Sequence, residues 1–128
     1  MAEQKHILVI DDDRGTLRTM QARLEQEGYD VLIADDGLAG LETARNKRPD
    51  LIILDVMLPR LNGYKICRFL KYDESFKHIP IIMVSAKSDQ SEVDLGMEVG
   101  ADLYITKPFE PDALMEQVHS QLGMTNLL

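Results

Sequence analysis

Cysteine occurs once in the 128 residues, at Cys67, so no internal disulfide framework is open to the chain, and a reducing compartment suits it. The three histidines, His6, His78 and His119, are scattered. With a single thiol beside them, they offer no cluster for zinc or copper. Apolar runs reach only four or five residues, far short of a membrane span. The opening Met1-Ala2-Glu3-Gln4-Lys5 lacks the apolar stretch and cleavage site of a signal peptide, so the expected location is cytoplasmic. Positive charge is in deficit. A formal net charge of −8 argues against nucleic acid and anionic membranes as direct partners. Internal repeats and low-complexity segments are also missing.

What remains is the composition of a folded domain: 45% hydrophobic and 28% charged residues, in a length that fits one core. Five short runs, Ile7–Ile10, Val31–Ala34, Leu51–Leu54, Ile81–Val84 and Leu103–Ile105, are rich in Ile, Val and Leu without polar alternation. That is the pattern of strands buried on both faces of a parallel sheet. Between them lie segments with helical spacing. Leu17, Met20 and Leu24 mark a helix from Arg14 to Glu27, closed by Gly28. Leu38, Leu41 and Ala44 mark a second, and Ile66, Phe69 and Leu70 a third. A fourth, from Gln90 to Val99, is acidic and interrupted by Gly96. Leu114, Val118 and Leu122 mark the last, with Pro111 in its first turn.

The alternation βα, five times over, predicts an α/β fold: a doubly wound five-stranded parallel sheet with helices on both faces. The flavodoxin-like order 2-1-3-4-5 is the common arrangement. The expected domain is residues 1–122, with 123–128 as a tail or the start of a linker.

In such sheets the ligand site lies beyond the carboxyl ends of the strands. Strand 1 ends in Asp11-Asp12-Asp13, strand 3 in Asp55, strand 4 in Ser85-Ala86 and strand 5 in Thr106-Lys107-Pro108-Phe109. The 2-1-3-4-5 order gathers carboxylates, a hydroxyl and an ammonium around one crevice. Clustered carboxylates suit a hard cation such as Mg²⁺, which binds through one or two carboxylates, waters and phosphate oxygens. A carboxylate can also attack phosphorus. Phosphoryl transfer needs mainly positioning and charge neutralisation, which Mg²⁺ and Lys107 would supply.

Val9-Ile10-Asp11-Asp12-Asp13, Leu54-Asp55-Val56-Met57-Leu58-Pro59 with Asn62-Gly63, Val84-Ser85-Ala86 and Lys107-Pro108-Phe109 resemble the signatures of response-regulator receiver domains, in order and at the ends of the right strands. The resemblance runs from His6 to Leu122. It implies that Asp55 is the phosphoacceptor. It makes Asp12 a direct Mg²⁺ ligand and Asp11 a neighbour acting through water, with the Met57 backbone carbonyl as a further ligand; Mn²⁺ would substitute. It implies that Lys107 binds phosphate and precedes Pro108 through a cis bond, and that Ser85 and Tyr104 form the switch. The implied partners are a histidine kinase or histidine phosphotransfer protein, and a downstream protein or attached effector domain. A homodimer through the fourth helix, fifth strand and last helix is a further option. The domain would not be an enzyme beyond its own phosphorylation and slow dephosphorylation.

Plainer readings stand beside these. Asp13, Asp35 and Asp36 suit helix N-caps. Ser85 alone also suits a turn cap, and Tyr104 an ordinary core position. Asp89, Glu92, Asp94 and Glu98 read as a solvated helix face, Cys67 as packing along the third helix, and the methionines as core filler. The alternative function is a haloacid-dehalogenase-like phosphatase using Asp11, since Asp11-x-Asp13 followed by Gly15-Thr16-Leu17 partly resembles that family's first motif. There the threonine falls one position late, and Asp55 and Lys107 lose their meaning. A flavodoxin-type carrier would need a Ser/Thr/Gly-rich phosphate loop where this chain has carboxylates.

Overall fold

Neighbouring residues along a strand point to opposite faces, so a run of consecutive Ile, Leu and Val supplies two cores at once. The computed structural model describes residues 4–123 and shows this directly. The chain alternates β1 (His6–Ile10), α1 (Arg14–Gln26), β2 (Asp30–Ala34), α2 (Gly37–Lys47), β3 (Leu51–Asp55), α3 (Gly63–Lys71), β4 (Ile81–Ser85), α4 (Gln90–Glu98), β5 (Leu103–Thr106) and α5 (Pro111–Gln121). All strand pairs are parallel, in the order β2-β1-β3-β4-β5. Leu8, Ile10, Ile52, Leu54, Ile81 and Met83 face α2, α3 and the end of α4. Ile7, Val9, Leu51, Ile53, Ile82 and Val84 face α1 and α5. The α/β architecture and strand order agree with the sequence expectation.

Several expectations need correction. Burial on both faces holds for β1, β3 and β4 but not for the edges: β2 buries only Ala34, with Ile33 45% exposed, and all of β5 is half-buried. An edge strand has one neighbour, and its outer flank meets solvent. Leu38 and Phe69, read as inward positions, are exposed; Leu41 and Ala44, and Ile66, Cys67 and Leu70, carry those packing faces. Met57 and Met97 are likewise exposed, while Met20, Met83 and Met115 are buried.

Gly96 does not interrupt α4; it is the buried residue through which the helix meets the sheet. A Cβ there would lie 2.7 Å from Cδ2 of Tyr104, so only glycine lets the helix approach the ring. The proposed tail from Met124 onward lies outside the described residues. Among the described residues no helix is long and apolar enough to cross a membrane.

Candidate functional site

Four strand ends converge on one crevice. β1 runs into Asp11, whose amide still bonds to Ala34 O at 3.1 Å, and its side chain is buried. Asp11 Oδ1 accepts the Asp13 amide at 2.9 Å. Asp13 turns away to cap α1, accepting from the Gly15 amide and, at 2.6 Å, from the Thr16 hydroxyl. That bond, ahead of its other contacts, lowers the Asp13 pKa. Asp36 caps α2 through the Ala39 amide, and Asp35 pairs with Arg14. These carboxylates are thereby occupied, as N-caps or ion pairs.

Asp55 ends β3 and is 7% exposed. One oxygen accepts the Met57 amide at 3.2 Å. The backbone beneath it is fixed by α3: the Gly63 amide donates to Val56 O, and a Cβ on Gly63 would stand 2.3 Å from Asp55 O. Glycine is required for that approach. Asn62 caps the same helix by accepting from the Lys65 amide. Asp11, Asp12 and Asp55 each present a carboxylate oxygen within 4.8 Å of the others, Asp12 being exposed and the other two buried. Burial and the neighbouring Asp11 charge push the Asp55 carboxyl up to about 6, against the pull of Lys107. Three carboxylates with repulsion between them form the donor set for a hard divalent ion, so these residues fit Mg²⁺.

Lys107 reaches in from the end of β5. Its Nζ lies 2.9 Å from Asp11 Oδ2 and 3.6 Å from Asp55 Oδ2. Burial works against the ammonium, but the Asp11 bond and the charges of Asp55 and Asp11 outweigh it and raise its pKa. The Lys107 amide bonds to Ser85 O, and the Lys107–Pro108 peptide is cis. Ser85 is fully buried at the end of β4; its Oγ accepts the Lys87 amide at 3.1 Å, as a turn cap would. Tyr104 packs on Gly96 and donates to Lys87 O at 2.7 Å. Thus Asp11, Asp12, Asp55 and Lys107 share one crevice, and Ser85 and Tyr104 meet at Lys87 on its rim. A cavity of about 710 Å³ opens beside it between α1 and α5, lined by Met20, Phe109, Leu114, Met115 and Lys107.

One group of residues was not legible in the sequence. Glu92, read as part of a solvated face, accepts the Tyr64 hydroxyl at 2.5 Å and pairs with Lys87 at 3.4 Å. Neither the helical period of α4 nor the sequence around Tyr64 signals a contact between α3 and α4.

Comparison with known proteins agrees with this geometry. Residues 7–119 match the response regulator receiver domain family. The chain is 45% identical over 122 residues to the transcriptional regulatory protein CseB of Streptomyces coelicolor, covering 95% of this chain and 51% of CseB. The chain therefore spans about half the length of such relatives. A CheY-like receiver domain protein from Methanospirillum hungatei superposes with a TM-score of 0.89 at 30% identity, over 94% of this chain and 95% of that one. The BeF3-activated DrrB receiver domain does so with a TM-score of 0.86 at 35% identity, over 94% and 99%. With its strand order, its carboxylate crevice and a family match over most of its length, the chain belongs to the response regulator receiver domains.

Proposed function

We propose that Asp55 is the phosphoacceptor, that Asp11, Asp12, Asp55 and the Met57 carbonyl hold Mg²⁺, and that Ser85 and Lys107 bind the phosphoryl oxygens. One observation carries the reading: a buried aspartate shares its crevice with two further carboxylates and with the Lys107 ammonium, which lies 2.9 Å from Asp11 and 3.6 Å from Asp55. When bound, Mg²⁺ supplies charge neutralisation at the phosphoryl group. An Asp55 oxygen attacks phosphorus, the new bond is O–P, and the P–N bond of a phosphohistidine donor breaks with its electron pair leaving on the imidazole nitrogen. Lys107 exchanges its contact with Asp11 for one with the phosphoryl group, and Ser85 Oγ donates to it. Mn²⁺ satisfies the same oxygen donors.

The donor is a histidine kinase or histidine phosphotransfer protein, and the apolar groove beside Lys107 offers it a surface. Phosphorylation shifts a population at Ser85 and Tyr104 and so changes the α4–β5–α5 face. That face, with its half-buried edge strand and exposed Leu95, meets a downstream protein, an attached effector or a second copy of the chain. CseB is a transcriptional regulator of twice the length, which favours an effector as the reader of this domain, whose own net charge of −8 disfavours DNA. Residues 1–122 are the receiver unit, 123–128 a tail or the start of a linker, and the setting is cytoplasmic. As a member of this family the chain is a signalling module, not a metabolic enzyme. The phosphatase reading finds no support: the family match replaces it, and Asp13, its second aspartate, caps α1.

Intact mass after incubation with acetyl phosphate and Mg²⁺ tests the proposal. One phosphoryl adduct is expected, dependent on Mg²⁺ and absent from Asp55→Asn. Continuous phosphate release that survives Asp55→Asn would refute it.

A further inference from the structure

The phosphoacceptor and the switch hydroxyl are joined by a second route that does not pass through the crevice. It begins at the Asp55 backbone, on which Gly63 rests, and Tyr64 follows Gly63 in the first turn of α3. The Tyr64 hydroxyl crosses to α4, donating to Glu92 Oε2 at 2.5 Å and lying 3.1 Å from Glu92 O. Glu92 Oε1 pairs with Lys87 Nζ at 3.4 Å. The Lys87 backbone closes the ring: its amide donates to Ser85 Oγ at 3.1 Å, and its carbonyl accepts the Tyr104 hydroxyl at 2.7 Å.

This route matters because α4 is otherwise held loosely. Its N-cap, Asp89, makes no side-chain capping bond, and Gly96 is its buried residue. A helix with so little buried apolar surface is drawn from the low-stability end of a fold. A hydroxyl bound to a carboxylate is a strong, directional contact by comparison. The contact is reflected in both partners: Tyr64 is raised, by burial and then by Glu92, and Glu92 is lowered, chiefly by Tyr64.

We infer that Tyr64 and Glu92 are positioning residues of the switch, a latch that ties the first turn of α4 to α3 and, through Lys87, restrains the Ser85 turn. The inference rests on Asp55 as phosphoacceptor and Ser85 as switch. A phosphoryl group that draws in Ser85 must move a turn whose next residue but one is held by this latch. By linkage, releasing the latch strengthens binding at Asp55 as surely as binding at Asp55 strains the latch.

Tyr64→Phe removes one hydroxyl and keeps the ring; Glu92→Gln weakens the same bond from the other side. Wild type, both single variants and the double variant are titrated with beryllofluoride in the presence of Mg²⁺ by calorimetry, with hydrogen exchange followed on α4. Each single variant is expected to bind at least about twofold tighter than wild type, the lower bound for mutations along a coupled network. The double variant gains no more than the stronger single one, because both substitutions act on the Tyr64–Glu92 bond, while Glu92→Gln also removes the charge that pairs with Lys87. Exchange in the first turn of α4 rises in both. A purely structural role would lower the melting temperature and leave the affinity alone. Affinities within twofold of wild type, weaker binding, or fully additive effects overturn the latch and leave the receiver chemistry standing. Absence of binding to wild type overturns both.

Discussion

Asp55 occupies a position that its own charge disfavours. Burial and the Asp11 carboxylate raise its pKa from 3.8 to about 6, so the folded state binds a proton more tightly than the unfolded chain does. The contribution to stability therefore falls as pH rises from about 4 to about 6 and stays low above that. Asp55→Asn, which carries no charge to desolvate, is expected to stabilise the metal-free protein by about 2 kcal/mol at neutral pH and by little at pH 4. Urea unfolding at both values, without divalent ions, checks it; equal effects at the two pH values would contradict the assignment. Met57, two residues on, is 57% exposed beside this carboxylate and has no group to orient an attacking water. We expect slow loss of the phosphoryl group, and a shorter lifetime for Met57→Asn, whose amide can position water. Phosphate release from purified phosphoprotein measures this, and an unchanged or longer lifetime counts against it.

Among the elements, α4 was the least legible in the sequence. Its acidic composition and Gly96 suggested a solvated, interrupted helix, whereas Gly96 is the contact and Glu92 is bound. Periodicity registers side chains that are present, so a helix that packs through a missing Cβ is invisible to it. Gly96→Ala places a methyl 2.7 Å from Tyr104 Cδ2 and 3.1 Å from Met83 Sδ. The loss expected is about 1–3 kcal/mol, typical of overpacking, read as a lower urea midpoint at constant slope. No change in midpoint would show that the ring yields freely. β1, β3 and β4 were legible for the opposite reason: each is flanked by two strands and covered on both faces, so the sequence is continuously apolar. The carboxylates Asp11 and Asp55 were legible because they stand where those runs stop. The reach of Lys107 to Asp11, and the separate duty of Asp13 as a cap, depended on side-chain direction, which spacing does not carry.

At the scale of the molecule, three of the acidic side chains behind a net charge of −8 are gathered at one end of the sheet. The fold tolerates this because the opposed Lys107 offsets part of the repulsion, and a divalent ion would offset more. An ion that binds only the folded state stabilises it by mass action, about 1.4 kcal/mol at ten times its dissociation constant, or roughly 3–6 °C in Tm for a domain of this size. General screening of a −8 surface would also raise Tm, but it depends on ionic strength and not on which carboxylates remain. Thermal unfolding in Mg²⁺ should therefore exceed that in Na⁺ at matched ionic strength. The excess should shrink as pH falls from 7.5 to 5, where Asp55 takes up a proton that competes with the ion. It should be largely lost in Asp12→Asn, a substitution at an exposed position that leaves the core unchanged. An equal shift with Na⁺, or a full Mg²⁺ shift in Asp12→Asn, would mean that the crevice is only an acidic surface and that the metal is bound elsewhere or not specifically at all.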